Sequence, residues 1–195
     1  RESGGEQDQN APAYGALNSI ELSAEGIQVN PLVISNEKKE CLNDNLLLFF
    51  TGVSRFSSQI QEKHEQALRS KEEQLLEMLA LVDEAEAALV GGDLDEFGRL
   101  LDYTWRLKRG VNAAVSNDTI DSIYNAAREA GALGGKLLGA GGGGFLLFYV
   151  QPDRQADVRK ALEQLKEIPF KFESGGARVL YYLPEDFIKG GGKVC

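Results

Sequence analysis

Apolar residues along the chain follow two rhythms. Leu46–Phe50 is an unbroken apolar run closed by Thr51-Gly52, and residues 145–150 form a second such run, so both predict buried strands. Residues 20–22 and 27–34 predict a hairpin, with Ala24-Glu25-Gly26 as its turn. Three stretches step by three and four instead. Leu75, Met78, Leu79, Val82, Ala85 and Leu89 predict a helix stopped by Gly91-Gly92. Leu94, Phe97, Leu100, Leu101, Thr104 and Leu107 predict the next, with Trp105 on its core face. Ile120, Ile123, Tyr124, Ala127 and Ala130 predict a third, which Ser116-Asn117-Asp118 can cap. Val158, Ala161, Leu162 and Leu165 mark a further helix, residues 179–183 a last strand, and residues 190–192 a loose glycine tail.

Interleaved strands and helices with a hairpin predict an α+β fold, an antiparallel sheet with packed helices. The order fits a ferredoxin-like split βαβ unit, and the helices between about residues 54 and 111 form a bundle inserted against it. Residues 1–15, small and polar in type, carry no clear periodicity. A boundary near residue 53 divides a leading segment, 1–53, from the main domain, 54–195.

One segment has no packing rationale. From Gly139 to Gly144 the chain reads Gly-Ala-Gly-Gly-Gly-Gly, five glycines and Ala140. Glycine costs conformational entropy on folding and supplies no side chain to bury. The run therefore predicts a backbone with unusual φ values, or one that a ligand or loop approaches closely. Next to a buried strand, such a loop is a place for phosphates. It is not a Walker loop, because Phe145 follows the last glycine. It is not a Rossmann fingerprint either, because the order reads helix, glycines, strand. Lys136, just before the run, reads as an exposed end residue.

Composition narrows the function. A net charge of −9 argues against a nucleic-acid partner. No apolar stretch is long enough to span a membrane. Cys41 and Cys195 make no disulfide framework and suit a reducing cytoplasm. His64 lies among charged residues, and one histidine with two distant cysteines predicts no metal site. The sequon Asn117-Asp118-Thr119 carries little weight without a secretory signal. Arg55 follows a strand at a helix start, where a cation could bind a substrate phosphate; a solvated helix residue reads equally well. Lys108 and Arg109 end a helix and complement its dipole.

Residues 134–145, Gly-Gly-Lys-Leu-Leu-Gly-Ala-Gly-Gly-Gly-Gly-Phe, resemble the third, C-terminal motif of the GHMP kinases. The branch most similar is that of the bacterial D-glycero-D-manno-heptose 7-phosphate kinases and related sugar kinases. Gly5-Glu6-Gln7-Asp8-Gln9 resembles the segment with the catalytic aspartate, and residues 50–55 resemble the strand-to-helix turn that follows it. Residues 105–109 and 120–124 resemble the helical region before the glycine loop. The resemblance covers nearly the whole chain and implies the ferredoxin-like C-terminal domain of that superfamily. It implies transfer of a phosphoryl group from ATP, with Mg²⁺, to a hydroxyl of a sugar or sugar phosphate. It makes Asp8 the candidate base and Gly139, Ala140, Gly141, Gly142, Gly143 and Gly144 the nucleotide-side loop; Arg55, Lys108 and Arg109, by their charge and place, are the candidate substrate-binding cations beside them. Galactokinase-, fucose-kinase- and phosphomevalonate-kinase-like acceptors stay open, as do a homodimer and a non-catalytic ferredoxin-like binding or dimerisation module. The superfamily's ATP-phosphate loop is not in the chain, which opens at Arg1 and has Met78 as its one methionine. The expectation is the C-terminal portion of a longer kinase, inactive by itself, with ATP and Mg²⁺ held mainly by the other portion.

Overall fold

The computed structural model of the chain describes residues 6–52, 71–139 and 141–181, with side chains from Asn10 onward. Its central element is a four-stranded antiparallel sheet of β3 (Leu46–Phe50), β4 (Gly134–Leu137), β5 (Phe145–Tyr149) and β6 (Lys166–Glu167), in spatial order β4-β5-β3-β6. Between β3 and β4 run α3 (Glu72–Gly91), α4 (Leu94–Val111) and α5 (Asp118–Glu129); between β5 and β6 runs α6 (Gln155–Ala161). Strand, helices, strand, strand, helix, strand in that spatial order is the ferredoxin-like arrangement that the sequence predicts. Ahead of it lie α1 (Glu6–Tyr14), the two-stranded hairpin β1 (Asn18–Ser23) and β2 (Gly26–Pro31), and α2 (Asn36–Asp44).

Alternation along the strands divides the sheet into two faces. Leu47, Phe49, Leu137, Leu146 and Phe148 share one face and pack with Ile120, Ile123, Tyr124 and Ala127 of α5, Val158 of α6, and Trp105 of α4. Tyr149 and Leu46 lie on the other, against Leu42 of α2, Leu89 of α3 and Leu94 of α4. Trp105 is a core residue, as its helical spacing predicts.

Local chemistry explains several boundaries. Gly92, at φ 93°, takes the left-handed turn that stops α3, and its N–H bonds to the Ala88 carbonyl at 2.9 Å. The side chains of Asp93 and Asn117 cap α4 and α5, each accepting from the backbone N–H three residues on, at 3.0 Å.

Four expectations are corrected. The glycine run does not join a helix to a strand: β4 intervenes, so the glycines link two antiparallel strands. The strand was hidden because Gly134 and Gly135 make half of it. Gly134 lets α4 lie close, since a Cβ there would sit on the Gly98 carbonyl oxygen and 2.7 Å from the Asp102 amide nitrogen, while a Cβ on Gly135 would press on Leu147 and Phe148 of β5. Lys136 is accordingly a partly buried strand residue, not an exposed end. The last strand is β6, whereas residues 179–181 are outside any strand and exposed. The helix after β5 ends at Ala161, so Leu162 and Leu165 pack from the turn beyond it. Two helices carry no periodic signal: α1, which contains Pro12, and α2, which Ser35 starts by accepting from the Lys38 N–H at 3.2 Å.

Candidate active site

The glycine hairpin begins where the Leu138 N–H donates to the Phe145 carbonyl at 2.8 Å. Gly139, Gly141, Gly142 and Gly144 have φ of 76°, 109°, 76° and 103°. These are left-handed conformations that only glycine takes cheaply. Two anchors hold the loop. At its tip, the Gly142 N–H donates to the Val115 carbonyl at 2.9 Å, and the Asn117 amide donates to the Gly142 carbonyl at 3.2 Å. Gly141 lies so close to this point that a Cβ would be 2.7 Å from the Val115 Cα. At its exit, Thr51 grips Gly144. The Thr51 hydroxyl donates to the Gly144 carbonyl at 2.9 Å and accepts from its N–H at 3.1 Å, and the Thr51 N–H donates to the same carbonyl at 2.9 Å.

The anchors divide the loop amides into two sets. Those of Gly142 and Gly144 are engaged by protein. Those of Gly139, Gly141 and Gly143 hold no hydrogen bond among the described residues. Unengaged backbone amides in a tight turn are donors that an anion can accept from.

The tip anchor sits on the junction of α4 and α5. Arg109, in the last turn of α4, pairs with Asp121 of α5 at 2.9 Å, and the Ser116 hydroxyl donates to the same carboxylate oxygen at 2.6 Å. The Arg109 guanidinium also lies 5.8 Å from the Trp105 ring centre and 5.6 Å from that of Tyr124. Behind it, the buried carboxylate of Asp102 binds Arg106 at 2.8 Å and Arg128 at 3.5 Å, and accepts from the Tyr124 hydroxyl at 2.7 Å. Burial, then that hydrogen bond to a carboxylate, push the Tyr124 phenol well above the ordinary tyrosine range. Arg109 thus braces the platform on which the hairpin rests. Lys108 shares the last turn of α4, where a cation complements the helix dipole.

Other candidates lie elsewhere or outside the described residues. Asp8 is in α1, and its side chain is outside them. The end of α1 is tied to residues 173–177: Ala16 N–H donates to the Glu173 carbonyl and Ala177 N–H to the Ala13 carbonyl, both at 2.9 Å. Arg55, His64 and Ala140 also lie outside the described residues, as does the glycine tail at 190–192. Sequence reasoning missed Thr51, Val115 and Asn117 as loop anchors. Thr51 shows only as a strand stop. Asn117 shows as a cap and a sequon, and its side chain both caps α5 and holds the loop. The Val115 contribution is a carbonyl, which no residue type announces. Among the described residues no group of three His, Cys, Asp or Glu could hold a metal, and no helix is long and apolar enough to cross a membrane.

Comparison with known proteins agrees with this geometry. The family described as GHMP kinases C terminal matches residues 58–168. A D-glycero-alpha-D-manno-heptose 7-phosphate kinase of Campylobacter jejuni is 35% identical over 181 residues, covering 90% of this chain and 53% of the relative. The chain thus spans about half the length of that protein. A crystal structure of a putative sugar kinase from Campylobacter jejuni superposes with a TM-score of 0.61 at 31% identity, over 89% of this chain and 50% of the other. That of a D-glycero-D-manno-heptose 1-phosphate kinase from Bacteroides thetaiotaomicron does so with a TM-score of 0.60 at 28% identity, over 89% and 48%. A signature glycine hairpin on a ferredoxin-like sheet, together with these matches, places the chain in the GHMP kinase family, as its C-terminal domain.

Proposed function

We propose that the kinase carrying this chain transfers a phosphoryl group from ATP to a sugar phosphate, with heptose 7-phosphate, phosphorylated at its anomeric hydroxyl, as the acceptor. The observation that carries the acceptor is the 35% identity to the Campylobacter heptose 7-phosphate kinase over 90% of the chain. The glycine hairpin supports the nucleotide: three loop amides are left for an anion while two anchors fix the backbone that presents them. Phosphoryl transfer needs positioning and charge stabilisation more than covalent chemistry. A loop already fixed before the ligand arrives loses less entropy on binding. Mg²⁺, as the usual companion of ATP, would neutralise phosphate charge when bound; the described residues offer it no cluster of three His, Cys, Asp or Glu ligands.

Within this reading Asp8 takes the proton of the attacking hydroxyl. Arg55, Lys108 and Arg109 keep their role as candidate cations for the acceptor. Arg109 serves through the α4–α5 junction, because its charge is already shared with Asp121. The test is ADP release by the whole kinase across a panel of heptose 7-phosphate, fucose, galactose and mevalonate, with wild type and Asp8→Asn. The reading expects turnover with heptose 7-phosphate above the rest, and a kcat lowered on the order of 10²–10⁴-fold in the variant. Preference for a sugar without phosphate would remove the acceptor assignment, and near-normal kcat in Asp8→Asn would remove the base.

A further inference from the structure

Lys136 differs from the other cations around the hairpin. Its cross-strand neighbour is Leu147, and Leu147 pairs in turn with Leu48, so all three share one face of the sheet. Further along that face toward the loop, the rings of Phe50 and Phe145 lie 5.2 Å apart. The lysine therefore stands on an apolar row, partly buried. Arg109 and Arg128, also partly buried, each face a carboxylate, Asp121 at 2.9 Å and Asp102 at 3.5 Å. No hydrogen bond or ion pair among the described residues reaches the Lys136 ammonium, although acids outnumber bases 30 to 21 in the chain. Burial holds its amine below the ordinary lysine range, and among the described residues no carboxylate pairs with it.

A desolvated ammonium without a counter-charge is unfavourable, and cores rarely keep one. Its place in the chain gives it a use. One residue, Leu137, separates it from Leu138, whose N–H closes the glycine hairpin onto Phe145. A four-carbon stem can lie along the apolar row while its head reaches the rim. The unengaged amides of Gly139, Gly141 and Gly143 belong to the same hairpin. Resting on the kinase reading, we propose that Lys136 binds a phosphoryl oxyanion at the mouth of the glycine hairpin, with those loop amides as a second set of donors. The oxyanion comes from the nucleotide or from the phosphate of the acceptor; the chemistry is shared and the experiment separates them.

The experiment is acylation of lysines in the wild-type kinase, mapped by mass spectrometry, alone and with inorganic phosphate, ATP or heptose 7-phosphate. Lys136 is expected to be protected several-fold, while Lys160, Lys166 and Lys171, all exposed, are not. Protection by ATP assigns the nucleotide, and protection by the sugar phosphate without ATP assigns the acceptor. Equal labelling of Lys136 in all four conditions overturns the proposal, and no variant need fold for that result. In kinetics, Lys136→Met should raise KM for the protecting substrate about tenfold or more, as expected for a lost charge-assisted hydrogen bond. Lys136→Arg should recover most of it. Wild-type KM values in both variants also overturn the proposal. If no sugar is phosphorylated but ATP protects Lys136, the acceptor reading fails and the lysine assignment stands. An active kinase with unprotected Lys136 gives the reverse.

Discussion

Gly139 and Gly141 share a left-handed backbone but not their surroundings. A Cβ on Gly139 meets nothing within 4 Å, whereas one on Gly141 would press on the Val115 backbone at 2.7 Å. Gly139→Ala should therefore cost the conformational term alone, about 1–2 kcal/mol. Gly141→Ala should cost roughly 1–3 kcal/mol more, from overpacking. Urea unfolding of the two variants measures the difference; equal midpoints would mean that the hairpin tip does not rest on Val115. Lys136 gives a second residue-scale expectation, in stability rather than binding. Its amine is held below the unfolded value, so the folded state binds fewer protons, and the penalty is largest below the folded pKa. Lys136→Met should thus unfold at higher denaturant than wild type at neutral pH. The gap should close as pH rises past the unfolded lysine value of about 10.4. A pH-independent gap would point to packing instead of charge. The glycine run was legible in sequence as unusual backbone. Which glycines face protein and which face space was not, because that depends on Val115 and Thr51, far away in the chain.

At the scale of elements, the contact of α4 with β4 governs where the hairpin points. Gly134 has no room for a methyl group between the strand and the backbone of Gly98 and Asp102. Gly134→Ala should destabilise the chain by about 1–3 kcal/mol or more, measured by thermal melting. It should also weaken the α4–α5 junction, where Asp102 receives the Tyr124 hydroxyl. An unchanged melting temperature would show that α4 can move off the strand freely. Helices with an apolar stripe and a cap (α3, α4, α5) were readable from spacing, as were β3 and β5 from apolar runs. β4 was not, because half of it is glycine, Gly134 close against α4 and Gly135 close against β5, which erases the strand signal. α2 was missed because its one buried residue is Leu42, too little for a period to show. β6 is two residues long and owes its pairing to β3 rather than to its own sequence.

At the scale of the molecule, the sheet carries its helices so that the glycine hairpin leaves one end, anchored on Thr51 and Val115. The GHMP family assignment follows from the family match over residues 58–168 and the 35%-identical relative, and the sequence motif already pointed to it. The acceptor did not follow from either: much of what distinguishes one sugar from another is chemistry that the described residues do not display. Phosphorus-31 NMR of the whole kinase incubated with ATP and heptose 7-phosphate shows where the phosphoryl group goes. A new resonance from a phosphate on the anomeric oxygen should grow as the γ-phosphate signal of ATP falls, with the 7-phosphate signal retained. ATP that stays intact, or a phosphate that appears on another hydroxyl, would contradict the proposed transfer.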